Sequence, residues 1–296
     1  MSESDAQTDT APSEILPFNQ PEAVAAFLGR TFLCYMTYAD SSFLFDWLEK
    51  TPDIRLRCRN TTEQETLFTT PPELLRAIHT CQRVTEPDIF PGIPSDWGFA
   101  GLMQFAVHQV QETVQVKSRE LYGPLFTQLY CEKVRNIHGL EVLCPHQNHW
   151  TFIIQDHTCA RDMRQKADCR NYILKSEIMA ATSIFFHQMN EMVWSSEKNR
   201  YTSKPRYKGG LLTVRLPCRF INALSDNNPK ATVVTFTRGK VRVVQATIRP
   251  SEKHPTLDLN LRAKYTLTKA GYDQNVAFDV LKWILDPPQA ELETEP

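Results

Sequence analysis

Two periodicities share this chain. In the first two thirds, apolar residues mostly step at three and four, the spacing of one helical face. Pro21-Glu22 opens such a run, with Val24, Phe27, Leu28, Phe32 and Tyr35 on one side. Pro suits a first helical position and Glu suits the positive end of the dipole. A short helix is predicted over Ser42–Lys50, and short strands over Asp53–Arg59 and Glu65–Thr69. Thr70-Pro71-Pro72-Glu73 reads as a capping box opening a helix that runs to about Gln82. A proline-rich loop, 85–96, leads to a helix capped by Ser95 and carrying Phe99, Leu102, Met103, Phe105 and Ala106. The pattern then predicts a strand at Thr113–Lys117, a helix over Leu121–Arg135 and a strand pair, Leu140–Leu143 with Trp150–Gln155. The longest helix is predicted over Asp168–Trp194, apolar round most of its circumference and so buried.

After Ser195 the period changes to two. Leu212, Val214, Leu216, Cys218 and Phe220 alternate with polar residues. Ala231–Thr237 and Val241–Ile248 flank Arg238-Gly239-Lys240, a hairpin turn in which Gly supplies positive φ. Leu257, Leu259, Leu261, Ala263, Tyr265 and Leu267 alternate strictly, which predicts one strand with one wet face. Gln274–Leu285 closes the region as a helix, stopped by Pro287-Pro288. The expected class is therefore α+β: a helix-rich mixed N-terminal part followed by an antiparallel β-meander closed by a C-terminal helix. The expected division is an acidic tail (1–18), a mixed domain (19–195), a basic linker (196–210), a sheet with its helix (211–286) and a second acidic tail (287–296). One core or two is left open by the pattern.

Charge changes the picture more than composition does. The chain has 296 residues and a formal net charge of −1. Residues 196–250 nevertheless hold twelve Lys/Arg against Glu197 and Asp226. The acids collect near the ends, nine Asp/Glu within 1–57 and five within 276–296. Such sorting points to a polyanionic partner. The expected contact residues are Lys198, Arg200, Lys204, Arg206, Lys208, Arg215, Arg219, Arg238, Lys240 and Arg242 for phosphate, with Arg262 and Lys264 on the outward sheet face. Tyr201 and Tyr207 are the stacking residues, since single strands need flat side chains as well as spaced cations. The leading expectation is a non-catalytic protein binding RNA or single-stranded DNA, in a setting such as a nucleoprotein or viral assembly. The alternative is an interaction subunit of a larger complex that binds an acidic protein surface. The same charges also have a plain reading, a solvated face paired with the chain's own acids.

Chemistry-bearing motifs are sparse. No phosphate loop, dinucleotide fingerprint, zincin or nucleophile elbow is present, and the chain reads as not an enzyme. The eight cysteines have no framework spacing, and the acidic, polar N-terminus is not a secretory signal, so a reduced intracellular setting, cytoplasm or nucleus, is expected. No apolar run approaches the ~20 residues a bilayer requires. Cys144, His146, His149, His157, Cys159 and Cys169 fall within 26 residues. In strands, Cys144 with His146 and His157 with Cys159 share faces, so these four are the weak candidates for a structural zinc. The second alternative function is a zinc- or thiol-dependent enzyme built on this Cys144–Cys169 region, with Cys144 or Cys159 activated by His149 or His157. The competing reading, small core cysteines and surface histidines, is the stronger one, and no cofactor is assigned. Asp156, Asp162, Asp168 and Glu177 could hold magnesium by residue type, but their scattered placement reads as solvated acids.

Overall fold

The computed structural model describes residues 21–51, 55–85, 98–114, 117–119, 128–131, 135–146, 148–158, 171–195, 200–203, 207–208, 211–212, 229–249 and 255–288. In chain order these form α1 (Pro21–Thr37), β1 (Ser42–Leu44), α2 (Phe45–Lys50), β2 (Arg55–Asn60), α3 (Pro72–His79), α4 (Gln82–Thr85) and α5 (Phe99–Gln111). Next come β3 (Lys117–Arg119), β4 (Gln128–Cys131), β5 (Arg135–His146), β6 (His149–Asp156), β7 (Tyr172–Leu174) and α6 (Lys175–Asn190). The C-terminal part adds β8 (Met192–Ser195), β9 (Arg200–Ser203), β10 (Tyr207–Lys208), β11 (Leu211–Leu212), β12 (Lys230–Thr237), β13 (Lys240–Arg249), β14 (Thr256–Thr266) and α7 (Gln274–Leu285). The class is α+β. Among the described residues no helix is long and apolar enough to cross a membrane.

The organising element is an eight-stranded sheet, ordered β2-β14-β13-β12-β6-β5-β3, with β4 also on β5. The expected antiparallel meander is present as β12-β13-β14. It does not stand apart, however: β12 pairs parallel with β6 and β14 pairs parallel with β2, so strands from the first half join it on both sides. Parallel strands are stable when both faces are covered, and β12 is buried at every position. One face carries α1 and α6 over Leu28, Phe32, Phe152, Ile154, Val233 and Leu259. The other carries α3, α4, α5 and α7 over Ile78, Met103, Ile153, Val234, Val243 and Trp283. Both faces draw residues from both halves of the chain.

A bulge explains the strict alternation of the last strand. Val243 faces Ala263 but Val244 faces Leu261, leaving Arg262 as the extra residue. Leu257, Leu259 and Leu261 therefore enter the α1/α6 core, while Ala263, Tyr265 and Leu267 pack on the α7 side. The single wet face expected for this run is replaced by burial that changes sides.

Several expected elements differ. Leu121–Arg135 was expected as a helix, yet its described part holds β4 and the start of β5. The long helix is α6 alone, preceded by β7 and followed by β8. It is buried almost all round from Lys175 to Phe185, because it lies between α1 and the sheet. Residues 61–71 are irregular instead of a strand, and the N-cap of α3 is Pro71 with no side-chain cap bond, so the Thr70 capping box does not form. Gly239 has φ 69°, the positive value expected in the hairpin turn. Most of the 212–220 run and both acidic tails lie outside the described residues.

Candidate binding groove

Beyond Leu261 no described strand pairs with the outer edge of β14. β2 ends at Asn60, Thr61 N–H donates to Leu261 O at 3.0 Å, and the chain then turns away. The fold of 62–68 away from the sheet opens a groove of about 800 Å³ between that loop, β14 and α7. Its cations are Lys240, Arg262 and Lys264 from the hairpin strands and Lys282 from α7. Its acids are Glu63 and Glu65 from the loop and Asp279 from α7.

An aromatic platform underlies it. Trp283 is fully buried; its indole N–H donates to Tyr265 Oη at 3.0 Å and its ring meets Phe68 edge-on at 5.2 Å. Burial pushes the Tyr265 phenol up to about 12, so it stays protonated across the physiological range. The Arg262 guanidinium lies 5.9 Å from the centre of the Trp283 ring, within cation–π range. Its Nε is buried and has no hydrogen-bond acceptor. Desolvation lowers its pKa, and no carboxylate among the described residues offsets this. By contrast, Lys282 pairs with Asp279 at 2.9 Å and rests 5.5 Å from the Phe68 ring centre.

The expected contact residues are dispersed. Arg238 is exposed at the hairpin tip and Lys240 lines the groove. Arg242 is the clear correction: it is 1% exposed and closed on Glu177, Nε to Oε1 at 2.7 Å and Nη2 to Oε2 at 3.1 Å. Nη2 also donates to Tyr172 O at 2.9 Å, and the guanidinium lies over the Tyr172 ring at 4.4 Å. It cannot meet a phosphate there. Arg249 pairs with Asp258 at 3.3 Å, and Lys230 is buried. Arg200 and Tyr201 fall in β9, and Tyr207 and Lys208 in β10, short strands outside the large sheet, with side chains outside the described set. Lys198, Lys204, Arg206, Arg215 and Arg219 lie outside the described residues.

The zinc candidates are not brought together. Cys144 and His146 sit at the turn end of the β5–β6 hairpin, and His146 meets Asp286 at 3.4 Å. His157 follows the far end of β6, against His138, roughly 26 Å away by strand rise. Cys159 and Cys169 lie outside the described residues. Among the described residues no cluster of metal-binding side chains forms. His149, weighed as a thiol activator, is buried, with Nε2 2.7 Å from Thr232 Oγ1. Burial lowers its pKa to about 3 and keeps it neutral.

A second polar assembly, unforeseen as such, closes the start of α6. Glu177 accepts from Leu174 N–H at 2.8 Å as well as from Arg242, and Ser176 Oγ donates to Asp156 Oδ2 at 2.5 Å. The other Asp156 oxygen accepts from Thr158 N–H and Oγ. All are buried; the Ser176–Asp156 and Arg242–Glu177 contacts fasten α6 to β6 and β13, while the Thr158 contacts close the turn after β6. Asp156 and Glu177, expected as solvated acids, are instead fully buried, held by these partners. The aromatic cluster beneath the groove is not legible in the sequence, because Phe68, Tyr265 and Trp283 come from three separate segments. No family model, curated protein or solved structure matches the chain.

Proposed function

We propose that this chain is a non-catalytic interaction module that accepts an extended acidic segment of a partner protein along the β14 groove. The observation that carries this reading is Arg262: a partly buried guanidinium over an indole, with no carboxylate partner among the described residues.

The signs around the groove favour a protein segment over nucleic acid. A phosphate backbone gains affinity from each cation that neutralises a phosphate and releases counterions. Here Glu63, Glu65 and Asp279 share the lining with Lys240, Arg262, Lys264 and Lys282, so a continuous polyanion meets repulsion that an isolated carboxylate does not. The burial of Arg242 and the pairing of Arg249 also withdraw two cations from the basic face that the sequence pattern suggests.

Fluorescence anisotropy with two probes tests the reading: a labelled decapeptide with one central Glu flanked by Ala and Ser, and a labelled 20-nucleotide oligouridylate. The peptide is expected to bind, and Arg262→Gln to abolish its binding while circular dichroism stays unchanged. The RNA is expected to bind more weakly, without the steep loss between about 50 and 200 mM salt that many phosphate contacts produce. Tight RNA binding with that steep slope, or no peptide binding by the wild type, overturns the proposal.

A further inference from the structure

We infer that Arg262 is the groove's anchor, closing two-pronged on one carboxylate of the bound segment, while the surrounding lysines only steer its approach. This rests on the reading of the groove as a site for an acidic segment. It adds which group on the partner is read, and by which side chain.

Three observations converge. The β-bulge makes Arg262 an extra residue with no partner across the ladder, so its placement is set by the irregularity and not by the strand's pleat. Beneath it, Trp283 is held by Tyr265 and Phe68, so the ring that receives the guanidinium is fixed before any ligand arrives. The planar fork of Arg matches the two oxygens of a carboxylate, a geometry the point charge of Lys does not reproduce. The desolvation and the aromatic ring beneath strengthen that contact relative to a point-charge pair screened by salt.

The balance of charge in the lining sets the valence of the anion. Four cations face three acids, leaving one net positive charge by count. A carboxylate satisfies it, whereas a phosphate dianion brings a second negative charge against Glu63, Glu65 and Asp279. The residue read is therefore Asp or Glu in preference to a phosphorylated side chain.

Binding kinetics separate the anchor from the steering charges. The probe is a labelled decapeptide with one central Glu flanked by Ala and Ser, and companions carry Gln or phosphoserine at that position. Arg262→Lys keeps the charge and is expected to raise koff about tenfold or more with kon nearly unchanged, because buried charge contacts act on dissociation. Lys240→Ala and Lys264→Ala are expected to lower kon and flatten its salt dependence while leaving koff near the wild-type value. The change from Glu to Gln in the peptide should weaken wild-type binding by a similar factor and leave Arg262→Lys almost unaffected, the signature of a direct pair. If Arg262→Lys dissociates as slowly as the wild type, the anchor assignment falls while the groove reading stands. If the phosphoserine peptide binds more than about tenfold tighter than the Glu peptide, the carboxylate assignment falls. No binding by the wild type to any peptide overturns both the anchor and the groove.

Discussion

The Arg242–Glu177 pair shows how differently one residue type behaves a few positions apart. Arg242 and Arg238 belong to one hairpin, yet one is exposed at the tip and the other is sealed beneath α6. Two buried charges hold together only while both are present, because removing one strands the other out of water. Arg242→Ala is therefore expected to cost about 3–5 kcal/mol in urea denaturation, and the double change Arg242→Met with Glu177→Leu much less. His149 carries the second prediction at this scale. Its folded pKa, about 3, lies below the ordinary value of 6.5. The unfolded chain then takes up a proton that the folded one refuses, so its contribution is complete above about pH 6.5 and is lost as pH falls toward 3. From pH 7 to pH 5 this amounts to about 2 kcal/mol. Stability measured at both pH values should show that much more loss in the wild type than in His149→Asn. Equal losses would assign the acid sensitivity elsewhere.

At the scale of elements, the hairpin turn and the bulge determine where β13 and β14 place their side chains. Gly239 adopts φ 69° between Thr237 and Lys240, which face each other across the ladder. A Cβ is strained there, so Gly239→Ala should lower stability by about 1–2 kcal/mol in thermal or chemical unfolding. Gly239→Asn should be milder, since Asn tolerates that region. Turns and amphipathic helices of this kind were legible because their signals are local: the α1 face, the 238–240 turn and α7 all lie where periodicity predicts them. What depends on partners distant in sequence was not. The 121–135 segment has helical spacing, but its described part pairs as strand against β5, since tertiary pairing overrides a weak local preference. The change of face at Arg262 is invisible in a strictly alternating run, because alternation cannot tell one buried face from two. For the site, the sequence pointed to an excess of cations and to Arg262, Lys264 and Lys240 as outward positions. It could not show that Arg242 meets Glu177, 65 residues earlier, or that Trp283 lies beneath Arg262.

At the scale of the whole molecule, the large sheet runs across the expected boundary near residue 195. β12 lies between β6 and β13, so strands on either side of the basic segment share one ladder. A fragment comprising 211–288 would expose β12's parallel edge and both apolar faces of the meander. It is expected to be unfolded or aggregated by circular dichroism and gel filtration, and co-expression with 1–210 should restore a soluble pair. Independent folding of the fragment would show that the meander needs no neighbour.

The parallel pairing of β2 with β14 also sets a timetable for synthesis. Thr61 Oγ1 donates to Asn260 Oδ1 across 199 residues of chain, and a ribosome adding 5–20 residues per second takes roughly 10–40 s to supply the later partner. Through that interval β2 waits with its ladder unmade, a ready template for association with neighbouring nascent chains. Its sequence, Arg-Leu-Arg-Cys-Arg-Asn, alternates small buried apolar groups with charge. Three like charges on one face of so short a strand repel an identical copy, and the same spacing leaves Leu56 and Cys58 free to meet their core when β14 arrives.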